Sequence, residues 1–135
     1  MLCSLVPVLM VDQVWPKIAE GMKRSVARCD GDLTASFLWQ LCRSGPGFLL
    51  IATDEANNVV GASVWRFEQY HSGHKFSCLA LAGKGLKSWH ADMRDLATRI
   101  AKDGGANGLI SEGSRAYGRI FPDAKEVRTR YEVPI

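Results

Sequence analysis

The chain has 135 residues, 47% of them hydrophobic and 23% charged, and 17 Lys and Arg against 14 Asp and Glu give a formal net charge of +3. This is the composition of a single globular domain spanning residues 1–135, and it excludes disordered, collagen-like and coiled-coil classes. No apolar run approaches the ~18 residues a membrane span needs, and the basic residues are scattered, so neither membrane nor nucleic acid is expected as a partner.

Residues 1–11 lack a basic leading region and carry Pro7 in their middle, which argues against a secretion signal. They read as a strand over residues 5–11 in a protein of the cytoplasm, with Pro7 at an edge or a strand start. Asp12 stands where it can cap a helix, with Pro16 in the first turn, where a missing N–H does little harm. Val14, Ile18, Met22 and Val26 recur every four residues beside Trp15 and Ala19 and form one apolar face. Gly31 ends that helix, Asp32 caps a second, and Leu33, Phe37 and Leu41 line its face until Ser44-Gly45-Pro46-Gly47 stops it.

The middle of the chain reads as an antiparallel meander. Residues 48–53 are a short apolar run, residues 54–58 a turn, and residues 59–70 a long strand with Val60, Ala62 and Val64 on one face and Trp65 and Phe67 on the other. A hairpin turn at 71–74 returns the chain as a strand over 75–81. Leu86, Trp89, Met93, Leu96 or Ala97, and Ile100 then mark a long amphipathic helix that Gly104-Gly105 terminates. A strand over 108–112, a short helix over 114–121 and a last strand over 126–133 complete an α/β (α+β) order of β-α-α-β-β-β-α-β-α-β. Cys3, Cys29, Cys42 and Cys78 form no CxxC pair and read as buried free thiols.

This order, with its meander feeding a long helix, resembles the GNAT superfamily of N-acetyltransferases over nearly the whole chain. Residues 113–124 (GSRAYGRIFPDA) and the Trp15-Pro16 pair are similar to small phage-encoded GNAT-like proteins. In that family the acyl-CoA pyrophosphate lies on backbone N–H groups where the fourth strand gives way to the long helix, because a helix N-terminus offers unpaired donors and a partial positive charge. The resemblance therefore implies acetyl-CoA as cofactor and Leu81, Gly83, Lys84, Gly85, Leu86 and Lys87 as its binding residues. The junction is shorter than the family's Q/R-x-x-G-x-G/A signature and lacks its leading Gln or Arg. A tight strand-to-helix turn with solvated lysines is the competing reading.

Acetyl transfer to an amine needs a base for the amine proton, a donor for the departing thiolate and hydrogen bonds for the oxyanion. The resemblance makes Tyr117 a candidate donor, although counting back from Pro122 sets Arg119 nearer the family's Tyr position; an aromatic packing role is the alternative. Glu112 and Glu68 are candidate bases, each with a solvated strand-end charge as the alternative. His71, His74 and Cys78 lack a fourth ligand for zinc, and no metal is expected. A Cys–His nucleophile pair has no local support. His90 reads as a boundary residue of the long helix, and Trp39, Trp65 and Phe67 either line an acceptor groove or fill the core. Two functions follow from the resemblance. One is an acyl-CoA-dependent N-acetyltransferase acting on an amine. The other is a catalytically inactive GNAT-like phage protein, in the virion or binding a host protein partner.

Overall fold

A computed structural model describes residues 2–27, 33–111, 121, 123–125, 127 and 131–135. Among the described residues five strands form one sheet in the order β1-β2-β3-β4-β5. Strands β1 (Leu2–Leu5), β2 (Gly47–Thr53), β3 (Val59–Tyr70) and β4 (Gly73–Gly83) pair antiparallel in sequence, and β5 (Gly108–Ser111) joins β4 in parallel after a helical crossover. The helices are α1 (Val11–Val14), α2 (Ala19–Ala27), α3 (Ala35–Ser44) and the crossover α4 (Leu86–Asp103).

Helices cover both faces of the sheet, so two cores form. Val11, Ile18, Met22, Val26, Leu38 and Cys42 of the first three helices pack on Leu49, Ile51, Ala62, Val64 and Ala80. Trp89, Met93, Ala97 and Ala101 of α4 pack on Leu50, Ala52, Trp65, Phe76 and Cys78. Burial of side chains the size of Phe76 or Leu49 contributes ~1.5–3 kcal/mol each relative to exposure. A central strand of such a sheet is apolar on both sides, which is why β2 reads as an unbroken run rather than an alternation.

Several expectations are corrected. The first strand is Leu2–Leu5, not 5–11, because the ladder ends where Val6 donates to the Leu49 carbonyl and Pro7, with no N–H, turns the chain into a 3-10 turn at Val8–Met10. Asp12 is not an N-cap: the helix starts at Val11 behind Met10, and the Asp12 carboxylate reaches to α3 instead. Pro16 falls in a second 3-10 turn, Trp15–Lys17, which separates α1 from α2. Thr34 caps α3 by accepting from the Phe37 N–H at 3.0 Å, and Leu38 and Cys42 form its buried stripe while Phe37 is exposed. Gly31, Asp32 and Cys29 lie outside the described residues.

Val60 also changes sides. The register shifts between Ala52 and Thr53, so that Val60 is the extra residue of β3 and packs in the α4 core rather than beside Ala62 and Val64. Of the helix expected over 114–121 only Phe121 is described. The described residues of the expected last strand, Val127 and 131–133, lie outside any strand, with Tyr131 and Val133 exposed; Pro134 beyond them has no N–H to give to a ladder.

Candidate functional site

The site is built on β4. Its lower half pairs with β5 from Lys75↔Gly108 to Cys78↔Ser111, where the described ladder ends. On the other side, Trp65 pairs with Cys78 and Val64 with Ala80, leaving Leu79 as a bulge. Leu79 and Ala80 both pack toward the first three helices, whereas Phe76 and Cys78 pack toward α4. The strand therefore kinks at Leu79, and it runs on to Gly83 and the first turn of α4.

The junction at Gly83–Lys87 is held by the core. Gly83 sits at φ +132°, and a Cβ there would lie 2.4 Å from the Val60 carbonyl oxygen. Lys84 donates its N–H to that same oxygen at 2.9 Å. Trp89 lies against Gly61, where a Cβ would come within 2.3 Å of the ring, and its indole N–H donates to the Lys84 carbonyl at 2.8 Å. Gly85 is the N-cap of α4 at φ +66° and ψ +35°, and it brings no side chain to cap the helix. A Cβ on Gly85 would meet nothing nearer than Ser88 Oγ at 3.8 Å. Ser88 gives its N–H to the Gly85 carbonyl, and Lys84, Gly85 and Lys87 are exposed. Ser88 apart, the first-turn N–H groups, those of Leu86 and Lys87, have no partner inside the helix, so this end is an open cradle of donors flanked by two lysines.

Leu81, halfway along the upper part of β4, is half-buried, and its N–H donates to Ser25 Oγ of α2 at 3.3 Å. Leu86 is half-buried against the α4 core.

Glu68 belongs to a polar group on β3 and β4. Its Oε2 accepts from Arg66 Nε and Nη2 at 3.3 and 3.1 Å, and its Oε1 accepts from Tyr70 Oη at 3.0 Å. Burial pushes the Glu68 carboxyl up, but hydrogen bonds from Ser77, Tyr70 and Arg66 outweigh it and hold the group below its usual value. Arg66 pairs across the ladder with Ser77, one step from the Trp65–Cys78 pair at the kink. Glu112 and Tyr117 lie outside the described residues, as does Arg119. They fall in sequence between Ser111, at the ladder's end, and Phe121, which packs edge-on to His90 and under the Arg94 guanidinium. Arg94 also binds the Asp123 carboxylate.

His71 and His74 do not converge with Cys78: His74 stacks on Phe67 and contacts Gln69, while Cys78 is in the core. Among the described residues no group of three such side chains is placed to hold a metal ion. Trp65 is buried and Phe67 belongs to the α4 core, so neither lines a groove; Trp39 is half-exposed on α3.

A probable acetyltransferase superposes over 100% of this chain and 98% of its own length, with a TM-score of 0.72 and 14% identity. The ribosomal-protein-alanine N-acetyltransferase of Brucella melitensis biovar Abortus 2308 matches over 99% of each chain, at TM-score 0.70 and 13% identity. A predicted acetyltransferase with acetyl-CoA from Clostridium acetobutylicum matches over 98% of this chain and 95% of its own, at TM-score 0.69 and 10% identity. The fold is that of the GNAT acetyltransferases. By sequence, no protein-family model and no curated protein matches the chain.

Within the GNAT fold, the junction tests whether an acyl-CoA suits this chain. The cradle at Gly85 is open, cationic and uncapped, which fits a pyrophosphate. Gly83 is accounted for by packing alone, and the Lys84 N–H is already used. With the Ser88 N–H also used, the donors left for an anion are the Leu86 and Lys87 N–H groups together with the Lys84 and Lys87 ammonium groups. Sequence reasoning found this junction but missed Ser25, Ser77 and the Leu79 bulge. No local pattern marks a bulge, since its signal is a register mismatch between two strands.

Proposed function

We propose that this protein is an acyl-CoA-dependent N-acyltransferase, with acetyl-CoA as its donor and an amine as acceptor. The observation that carries this reading is the coincidence on β4 of two features: the kink at Leu79 and the open α4 terminus at the far end of the same strand segment. From Cys78 to Gly83 the strand covers about 17 Å at roughly 3.3 Å per residue. That is a suitable span for an extended pantetheine arm between a reacting thioester and a bound pyrophosphate. The cofactor would supply an activated acyl group.

The residues then divide the work. The first-turn donors of α4 with Lys84 and Lys87 hold the pyrophosphate, Leu81 lies along the arm, and Leu86 packs beneath the junction. Glu68, held ionised and paired with Arg66, is a weak proton acceptor. The proton-transfer roles fall to Glu112 as base and Tyr117 as thiolate donor.

Calorimetric titration with acetyl-CoA tests this. Micromolar binding that Lys84→Glu weakens roughly three- to tenfold, as expected for an exposed charge contact, supports it. No binding at millimolar acetyl-CoA refutes it.

A second reading keeps the fold without turnover, as a phage virion or host-interaction protein that binds a protein partner. The saturated hydrogen bonding of Glu68 favours it, because no proton-accepting role is left to that group. Acetyl transfer to any amine by the purified chain, abolished in a Glu112→Gln, Tyr117→Phe variant, rules it out.

A further inference from the structure

The upper half of β4 has β3 on one side, and beyond Cys78 the described residues of β5 no longer follow it on the other. The Leu81 N–H is directed away from β3 and is met by the Ser25 hydroxyl of α2 at 3.3 Å. This contact is enforced by close packing. One helical turn before Ser25, Gly21 lies so near the strand that a Cβ there would sit 3.2 Å from the Ala82 Cβ, and Met22 beside it is fully buried. A backbone donor turned away from its ladder partner is costly to leave unmade away from water. In this chain a side chain supplies the acceptor.

We propose that Ser25 is an internal stand-in for the cofactor arm: its hydroxyl occupies the Leu81 N–H that an amide carbonyl of a bound CoA takes over. This rests on the acyl-CoA reading above, and it makes the last turn of α2 a positioning element for cofactor entry. Binding exchanges one hydrogen bond on Leu81 for another, so the ligand gains nothing net from that donor while Ser25 is present. Removing the hydroxyl leaves the donor waiting, and the bond then counts in full toward affinity.

The test titrates CoA into the wild-type chain and into Ser25→Ala by calorimetry, and follows exchange of the Leu81 amide by NMR in both. The expected result is roughly two- to tenfold tighter CoA binding by Ser25→Ala, the range for one net hydrogen bond. Leu81 exchange is faster in the free variant than in the free wild type, and it slows again on CoA addition. Equal affinity in the two proteins, or weaker binding by Ser25→Ala, overturns the stand-in role while leaving the acyl-CoA reading intact. Failure of both proteins to bind CoA at millimolar concentration removes the acyl-CoA reading and this inference together. Unchanged Leu81 exchange in the free variant overturns the inference by itself.

Discussion

Trp89, in the α4 core, donates its indole N–H to the carbonyl of Lys84, on the exposed junction, at 2.8 Å. A buried side chain thus sets the conformation of the loop that carries the candidate anion cradle. The ring rests on Gly61, and a Cβ there would lie 2.3 Å from it.

Gly61→Ala should therefore destabilise the fold by about 1–3 kcal/mol, the usual range for forcing a methyl into a filled core, read as a lower urea midpoint. Trp89→Phe keeps an aromatic ring but loses the bond to Lys84. It should cost about 1–3 kcal/mol and weaken acetyl-CoA binding beyond what Leu96→Ala, a partly buried change farther along α4, produces at similar stability loss.

Asp12 accepts from Arg43 Nε and Nη2 at 3.1 Å each and from Trp39 Nε1 at 2.8 Å, with the guanidinium 4.8 Å above the indole ring. These bonds, from Arg43 first and then Trp39, lower the Asp12 carboxyl below its ordinary value. A folded value below the unfolded one means stability that is present above the unfolded value, near pH 4, and is lost as pH falls through the lower folded value. Asp12→Asn should lower the melting temperature at pH 7, and the gap to wild type should narrow on acidification below about pH 4. A gap that is constant from pH 7 to pH 2 would contradict this.

Glu68 should behave as fixed charge. Glu68→Gln should leave the pH dependence of kcat in place, because the group is held ionised by Ser77, Tyr70 and Arg66 against the effect of burial. Loss of the acidic limb of a pH–rate profile in this variant would identify Glu68 as the base instead.

Cys42 is fully buried on α3, and burial pushes its thiol up to about 12. Iodoacetamide at pH 8 should leave the Cys42 peptide unmodified in the native protein and label it after denaturation, as read by peptide mass mapping. Cys3, only half-buried, should label first of the two.

Where the chain's own periodicity decides structure, the sequence was sufficient. Val59–Tyr70 is a strand over the residues its pattern indicates, and Trp89, Met93 and Ala97 of α4 are buried as their spacing predicts. The failures share a physical cause, which is that a partner distant in sequence wins over a local preference. Asp12 is a good cap, yet two donors 27 and 31 residues away take its carboxylate. Val60 alternates correctly with Ala62 in sequence, but the register of β2 makes it the extra residue. The glycines of the junction were legible as a loop, whereas their division into one fixed by packing and one left open requires the positions of Val60 and Ser88. Ser25 has no signature at all, because a hydroxyl on a helix announces nothing about the backbone donor it meets.

The kink at Leu79 also reverses the sidedness of β4. Before it, Phe76 and Cys78 serve one core; after it, Ala80 and Ala82 serve the other, although all four residues share the same parity. The strand is two half-strands in opposite phase, joined by one unpaired residue. Deleting Leu79 would put the whole strand back in a single phase and set its second half against β3 without a kink, so a change of one residue in chain length separates this strand from a plain one. Length at this point, rather than the identity of any side chain, is the character that variants of the fold have to preserve.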